Sequence, residues 1–190
     1  MTGLLTEKGS SMNVLLHMCC ANCAIYPVRI LRESNHAVDG YFFNHNIHPY
    51  QEYRRRLQAV EEYSAASDLE VIYKDEYLLE DFLAQVAAEP ANRCTYCYQS
   101  RLKQAAEYAA TSGYDAFTTS LLYSRYQNHE LIQKMGEELG QHYGIEFLYE
   151  DYRSGWQEGI KTSKAMGLYR QQYCGCIYSE KERYHPAGKN

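Results

Sequence analysis

Short apolar runs that alternate with stretches of helical periodicity are the strongest constraint on this chain. Val14–Met18, Val38–Asn44, Leu69–Tyr73, Ala116–Leu122 and Ile145–Tyr149 read as strands. Ala24–Ser34, Tyr50–Ala66, Tyr77–Ala88, Tyr96–Thr111, Asn128–His142 and Trp156–Met166 read as helices, and Ile177–Tyr184 as one short helix in the tail. Pro27 falls near the first turn of its helix, where proline is tolerated. Gly113, Gly144 and Gly167 stop three of the others. The alternation predicts an α/β fold, a five-stranded parallel sheet with helices on both faces. In such sheets ligands gather outside the carboxyl ends of the strands, near the reversal of strand order.

The length of 190 residues fits about one domain, expected over residues 13–190. The polar stretch 1–12 reads as an extension, with Met12 as a candidate start. No apolar run approaches the ~18 residues of a membrane helix, and Met1–Asn13 has no apolar core of a signal peptide, so a cytoplasmic protein is expected. With 19 Lys+Arg against 24 Asp+Glu the net charge is −5, which argues against broad, non-specific nucleic-acid binding but leaves room for a local basic patch. The one basic run is Arg54-Arg55-Arg56, with Lys74, Arg93, Arg101 and Lys103 elsewhere. It reads as a solvated helix face or, joined by Arg153 and Arg170, as an RNA-backbone contact.

All 7 cysteines fall in three groups, Cys19-Cys20-Ala21-Asn22-Cys23, Cys94-Thr95-Tyr96-Cys97 and Cys174-Gly175-Cys176. Chance would scatter them. An odd number without an export signal argues against a disulfide framework and for metal or redox chemistry. The first group follows strand one, where this fold places chemistry. A helix starting there offers backbone N–H groups and a positive dipole end, which favour thiolates. Neighbours on a strand face opposite ways, so Cys19 and Cys20 share a site only if the chain has left the strand.

Four thiolates suit zinc or an iron–sulfur cluster. Zinc ribbons keep their C-x-x-C pairs within ~15–20 residues of each other. Here the first two groups are far apart and three further thiols remain, which favours iron–sulfur. Two ligand sets fit the spacing: Cys20, Cys23, Cys94 and Cys97, or Cys19, Cys20, Cys94 and Cys97. The C-x-C group allows a strained, easily reduced disulfide and so suits a catalytic dithiol; the other reading makes Cys174 and Cys176 extra metal ligands. Neither a P-loop nor a dinucleotide fingerprint is present, and cysteines stand where a phosphate loop would follow strand one, so no ATP or NAD site is expected. A zinc-stabilised RNA-binding module without redox chemistry is the competing class, and the isolated dithiol discriminates against it.

His17 lies beside the thiols as a core histidine or a supporting group. Asn44, His45, Asn46 and His48 follow strand two, and Ser124 to His129 follow strand four, at the same sheet edge. They are candidates for substrate contact, with helix capping as the alternative for Asn128. Among the 20 tyrosines, Tyr123, Tyr126, Tyr169 and Tyr173 are candidates for stacking on an unstacked base.

Six stretches in order, Leu15–Cys23, Phe43–Pro49, Arg93–Cys97, Thr118–Leu122, Ser124–His129 and Gly167–Cys176, resemble the QueH family of epoxyqueuosine reductases. The resemblance covers roughly Met12 to Tyr184. It implies a Rossmann-like fold of the HUP or PP-loop type and the last step of queuosine synthesis, removal of the epoxide oxygen of epoxyqueuosine at the tRNA wobble position. It further implies a [4Fe-4S] cluster on Cys19, Cys20, Cys94 and Cys97 and a redox-active disulfide of Cys174 and Cys176. Cys23 becomes a candidate for a second iron beside the cluster, or a spare thiol. The partners implied are the tRNA anticodon loop and an electron donor. Tyr126, His129 and Tyr169 are candidate proton donors. Asn22 and Arg125 stand where the family usually has proline, and Ser120 replaces threonine or leucine; none of these removes a thiol.

Overall fold

The computed structural model describes residues 10–185. Most of the expected extension, residues 1–9, lies outside the described residues. Five strands, β1 (Asn13–His17), β2 (Ala37–Phe42), β3 (Val71–Tyr73), β4 (Ala116–Thr119) and β5 (Glu146–Phe147), form one all-parallel sheet in the order β3-β2-β1-β4-β5. The helices are α1 (Ala21–Glu33), α2 (Tyr50–Ser67), α3 (Leu79–Val86), α4 (Arg93–Thr111), α5 (His129–Tyr143), α6 (Trp156–Ala165) and α7 (Ile177–Tyr184). The α/β expectation holds. Among the described residues no helix is long and apolar enough to cross a membrane.

The central strand β1 explains the layering. Val14, Leu15 and Leu16 are all fully buried, as a strand covered on both faces requires. Val14 and Leu16 pack with α1 and α2, whereas Leu15 packs with Phe117 and α4. Strand order reverses between β1 and β4, where His17 pairs with Thr119, so the ligand crevice of this fold opens directly above β1.

Several boundaries differ from the sequence pattern, each for a local reason. β4 ends at Thr119, because the Thr119 hydroxyl accepts the Leu121 N–H and starts a 3-10 turn over Ser120–Tyr123. α1 begins at Ala21, three residues early, so Pro27 is interior and leaves the Cys23 carbonyl without its helical donor. α4 begins at Arg93, which brings Cys94 into the same helix as Cys97. The basic run divides: Arg54 is exposed and pairs with Asp75, while Arg56 is only 1 % exposed. Arg54 and Arg55 thus lie on the solvated face of α2, and only Arg56 is turned inward.

Close packing of α5 on the short edge strand β5 depends on a small side chain. A Cβ at Gly140 would lie 2.7 Å from the Ile145 carbonyl oxygen, a backbone atom that cannot step aside. Gly140→Ala should lower stability by about 1–3 kcal/mol in urea unfolding, although alanine favours the helix itself. An unchanged or raised midpoint would contradict this packing.

Candidate active site

Each cysteine group sits at the start of a helix. Beyond β1, Met18 N–H still pairs with the Tyr41 carbonyl at 2.8 Å, and Cys19 N–H then turns to Ser120 Oγ at 3.0 Å across the crevice. The chain has left the strand at this point, so Cys19 and Cys20 can share a site; their sulfurs are 3.8 Å apart. Cys20 is the N-cap of α1, and no side chain caps that helix end. Cys23 completes a trio whose sulfurs lie within 4.8 Å of one another and could hold a metal ion. Cys94 and Cys97 occupy one face at the start of α4, the first exposed and the second buried. Cys176 is the N-cap of α7, its sulfur accepting the Ser179 N–H at 3.3 Å. At the start of α7 a backbone N–H is thus aimed directly at sulfur.

A cavity of about 640 Å³ joins the three groups. Cys19, Cys94, Cys97, Cys174 and Cys176 line it, and all seven cysteines are free. Cys20 and Cys23 stand back from it. The Gln171 amide, on the cavity wall, donates to Cys20 Sγ at 2.9 Å and approaches Cys23 Sγ at 3.5 Å. Asn22 sets that amide by donating to Gln171 Oε1 at 2.8 Å and to the Tyr169 carbonyl at 2.9 Å. A proline at position 22 could donate neither bond. The compact trio therefore contains Cys23, while Cys94 and Cys97 reach the same cavity from α4.

The protonation pattern is uneven. Hydrogen bonds from the Cys20 and Cys23 thiols hold Cys19 well below the ordinary thiol range, and burial pushes Cys20 up. Burial also raises Cys97 to about 11, against the pull of Arg101. The Cys176 thiol brings Cys174 down to about 5, with further help from Ser179, whose Oγ lies 3.0 Å from Cys174 Sγ. Cys176 is correspondingly pushed well up. The C-x-C group is thus a thiolate beside a thiol.

Two buried arginines, neither distinguishable in the sequence from a surface residue, organise the site. Arg56 pairs with Glu52 at 2.7 Å and donates to the Tyr173 and Cys174 carbonyls, each at 2.9 Å. His48 N–H takes the Gly175 carbonyl at 2.8 Å, and the Tyr173 hydroxyl donates back to the His48 carbonyl. Gly175 has φ +124°, which an L side chain rarely adopts, and a Cβ there would meet Arg56 Nη1 at 3.0 Å. Arg101 donates to the carbonyl and sulfur of Cys97, both at 3.0 Å, and has no carboxylate partner among the described residues.

The polar candidates separate. His17 is a satisfied core residue: its Nε2–H donates to the Phe43 carbonyl, which leaves Nδ1 to accept from the Thr119 hydroxyl. Burial lowers its pKa to about 4, so it stays neutral. Asn44 ties down the strand exit by donating to the Met18 carbonyl. Burial likewise takes His45 to about 3 and His48 to about 4. Asn46 lines the cavity at 1 % exposure, and its carbonyl oxygen has no partner among the described residues. Tyr126 lines the cavity as well, whereas the Tyr169 hydroxyl is taken by Glu52 and His129 Nε2 by the Ser124 carbonyl.

Replacing Arg56 by methionine would leave Glu52 buried without a counter-charge and two loop carbonyls without donors. Arg56→Met should cost about 3–5 kcal/mol in denaturant unfolding, and adding Glu52→Leu should recover part of that loss. The Cys174 pair makes a separate prediction. Its alkylation by iodoacetamide should rise through pH ~5 and level off by neutral pH, whereas an ordinary thiol titrates near ~8.5. Ser179→Ala should move that midpoint upward; peptide mapping by mass spectrometry reads both, and a wild-type midpoint near the ordinary value would refute the assignment.

The arrangement can now be set beside known proteins. The family model described as epoxyqueuosine reductase QueH matches residues 14–182. The epoxyqueuosine reductase QueH of Dehalococcoides mccartyi is 40% identical over 171 residues, which span 90% of this chain and 94% of the relative. The protein of the same name from Thermotoga maritima is 34% identical over 180 residues, covering 90% and 91%. That of Streptococcus pyogenes is 31% identical over 181 residues, covering 89% and 71%. A helix-capped set of thiols on a parallel sheet, joined to matches of this extent, places the chain in the epoxyqueuosine reductase QueH family, a family of oxidoreductases.

Proposed function

We propose that this chain reduces epoxyqueuosine to queuosine at the wobble position of tRNA, the last step of queuosine synthesis, in the cytoplasm. Membership of the family supports the substrate, and the pairing of a Cys174 thiolate with a Cys176 thiol in the cavity carries the redox reading. Turning an epoxide into an alkene takes two electrons and two protons and releases one water. Oxidation of the Cys174–Cys176 dithiol to a disulfide supplies both electrons. In the thiolate–thiol state the pair carries one of the two protons, on Cys176, and the other enters from solvent through the cavity mouth. An external electron donor must then reduce the disulfide again. The reading takes residues 13–190 as one domain and uses neither ATP nor NAD.

The donor set fits an iron–sulfur cluster. Cys19, Cys20, Cys94 and Cys97 would hold a [4Fe-4S] group, with Cys23 placed for a second iron. The unpaired Arg101 cation beside Cys97 suits an anionic cluster. When bound, the cluster would relay electrons and an open iron would act as a Lewis acid on the epoxide oxygen. Arg56 fixes the dithiol loop, Gln171 orients toward the Cys20 and Cys23 sulfurs, and Asn46 offers an unpaired amide to the substrate.

Anaerobic purification should yield about four irons and four acid-labile sulfides per chain, with broad visible absorption. Iron in excess of sulfide would support the second iron. Cys174→Ser should abolish turnover on epoxyqueuosine-containing tRNA and leave iron, sulfide and absorption unchanged. One zinc without sulfide would sink the cluster, and full activity of Cys174→Ser would sink the dithiol role.

A further inference from the structure

The wall of the cavity that carries Tyr126 and Trp156 supplies nothing to the thiols. It is nonetheless carefully assembled. Trp156 stacks on Tyr123 with ring centroids 5.3 Å apart and meets the Tyr126 ring edge-on at 5.9 Å. Tyr123 is buried and donates its hydroxyl to the Trp156 carbonyl at 2.9 Å. The Arg125 guanidinium lies over the indole, 5.7 Å from its centroid. The loop beneath is tied on both sides of Tyr126. Its own N–H donates to Ser124 Oγ, and the Tyr98 hydroxyl donates to Gln127 Oε1 at 2.7 Å while accepting the Asn128 N–H. Asn128 in turn caps α5 through the Leu131 N–H.

A loop held this firmly could have folded its aromatic ring inward, yet Tyr126 is 85 % exposed at the cavity rim. The charge around it is also selective. Of the arginines on the cavity wall, Arg56 is balanced by Glu52 and Arg93 by Glu182, which leaves Arg101 and Arg183 without a carboxylate partner among the described residues, on a chain whose net charge is −5. Arg125 adds a further cation beside the rings. A flat ring open to solvent, backed by a second ring and flanked by a guanidinium, matches an unpaired nucleobase and its phosphate.

We propose that Tyr126, backed by Trp156, stacks a nucleobase of a single-stranded RNA loop, and that Arg125 meets the adjacent phosphate. The loop is thereby seated at the rim while the reacting group enters the thiol cavity. This rests on the tRNA reading above and assigns the residues that hold the loop.

The single tryptophan of the chain is a built-in reporter. Trp156 emission of the anaerobically purified full chain is titrated with a synthetic, unmodified tRNA anticodon stem-loop and, separately, with a fully paired RNA duplex of equal length. The stem-loop should change the emission and bind more tightly than the duplex. Tyr126→Ala should weaken stem-loop binding roughly 5- to 150-fold, the range for loss of one stacked base, and Tyr126→Phe should restore it. Arg125→Gln should reduce the slope of log affinity against log salt by about 1. Tyr126 is exposed, so these variants keep the fold, which thermal unfolding checks. Stem-loop binding that Tyr126→Ala leaves intact, or equal affinity for the duplex, overturns the stacking wall alone. Absence of any stem-loop binding by the wild-type chain overturns the tRNA reading with it.

Discussion

A single guanidinium, that of Arg56, connects the fold to the chemistry. It rises from the middle of α2 into the interior, balances Glu52, and grips two successive carbonyls of the Tyr173–Cys174 segment. A buried charge is tolerable only when it is paired and its donors are used, and here both conditions are met by the loop that presents the dithiol. The position of Cys174 and Cys176 is therefore coupled to the packing of α2 on the sheet. Gly175 completes the coupling, because its φ of +124° disfavours any side chain and a Cβ would press on Arg56 at 3.0 Å.

Helix ends supply the second constraint. α1, α4 and α7 begin at cysteine groups that come from the start, middle and end of the chain. At α1 and α4 no side chain caps the helix, and at α7 the cap is a thiol sulfur. At α7 the Ser179 N–H, which a serine or aspartate cap would otherwise satisfy, is aimed at sulfur. A positive helix end suits a nearby anionic group, although burial pushes the cap residue Cys20 up and its Cys174 neighbour pushes the cap residue Cys176 up.

Charge in the cavity is arranged to favour negative species throughout. Arg101 is buried against Cys97 with no acidic partner among the described residues, and the buried histidines His17, His45 and His48 are held neutral by burial. Positive charge thus comes from arginines, which keep it at any pH, rather than from groups that would titrate near neutrality. An acidic protein in this way carries unpaired positive charge at its cavity.

Much of this was legible in the sequence. The alternation of apolar and amphipathic stretches determined the parallel sheet, because the two periodicities cannot be exchanged. The clustering of all seven cysteines singled out the thiols as the candidate site, and the motif order pointed to the family that the comparisons show. Helix starts were read late at Ala24 and Tyr96: at α1 the cap is a cysteine, no recognised cap, and at α4 the N-cap Asn92 gives its side chain to Glu89 rather than to the helix. Only the tertiary structure decided which thiols are neighbours, because Cys19, Cys94 and Cys174 are brought together by strand order and not by spacing. It also decided that Arg56 is a buried clamp while Arg54, two residues away, is a solvated ion pair. Three consecutive arginines look alike in a sequence; the angle of about 100° between successive residues on a helix, set against the sheet, is what separates them.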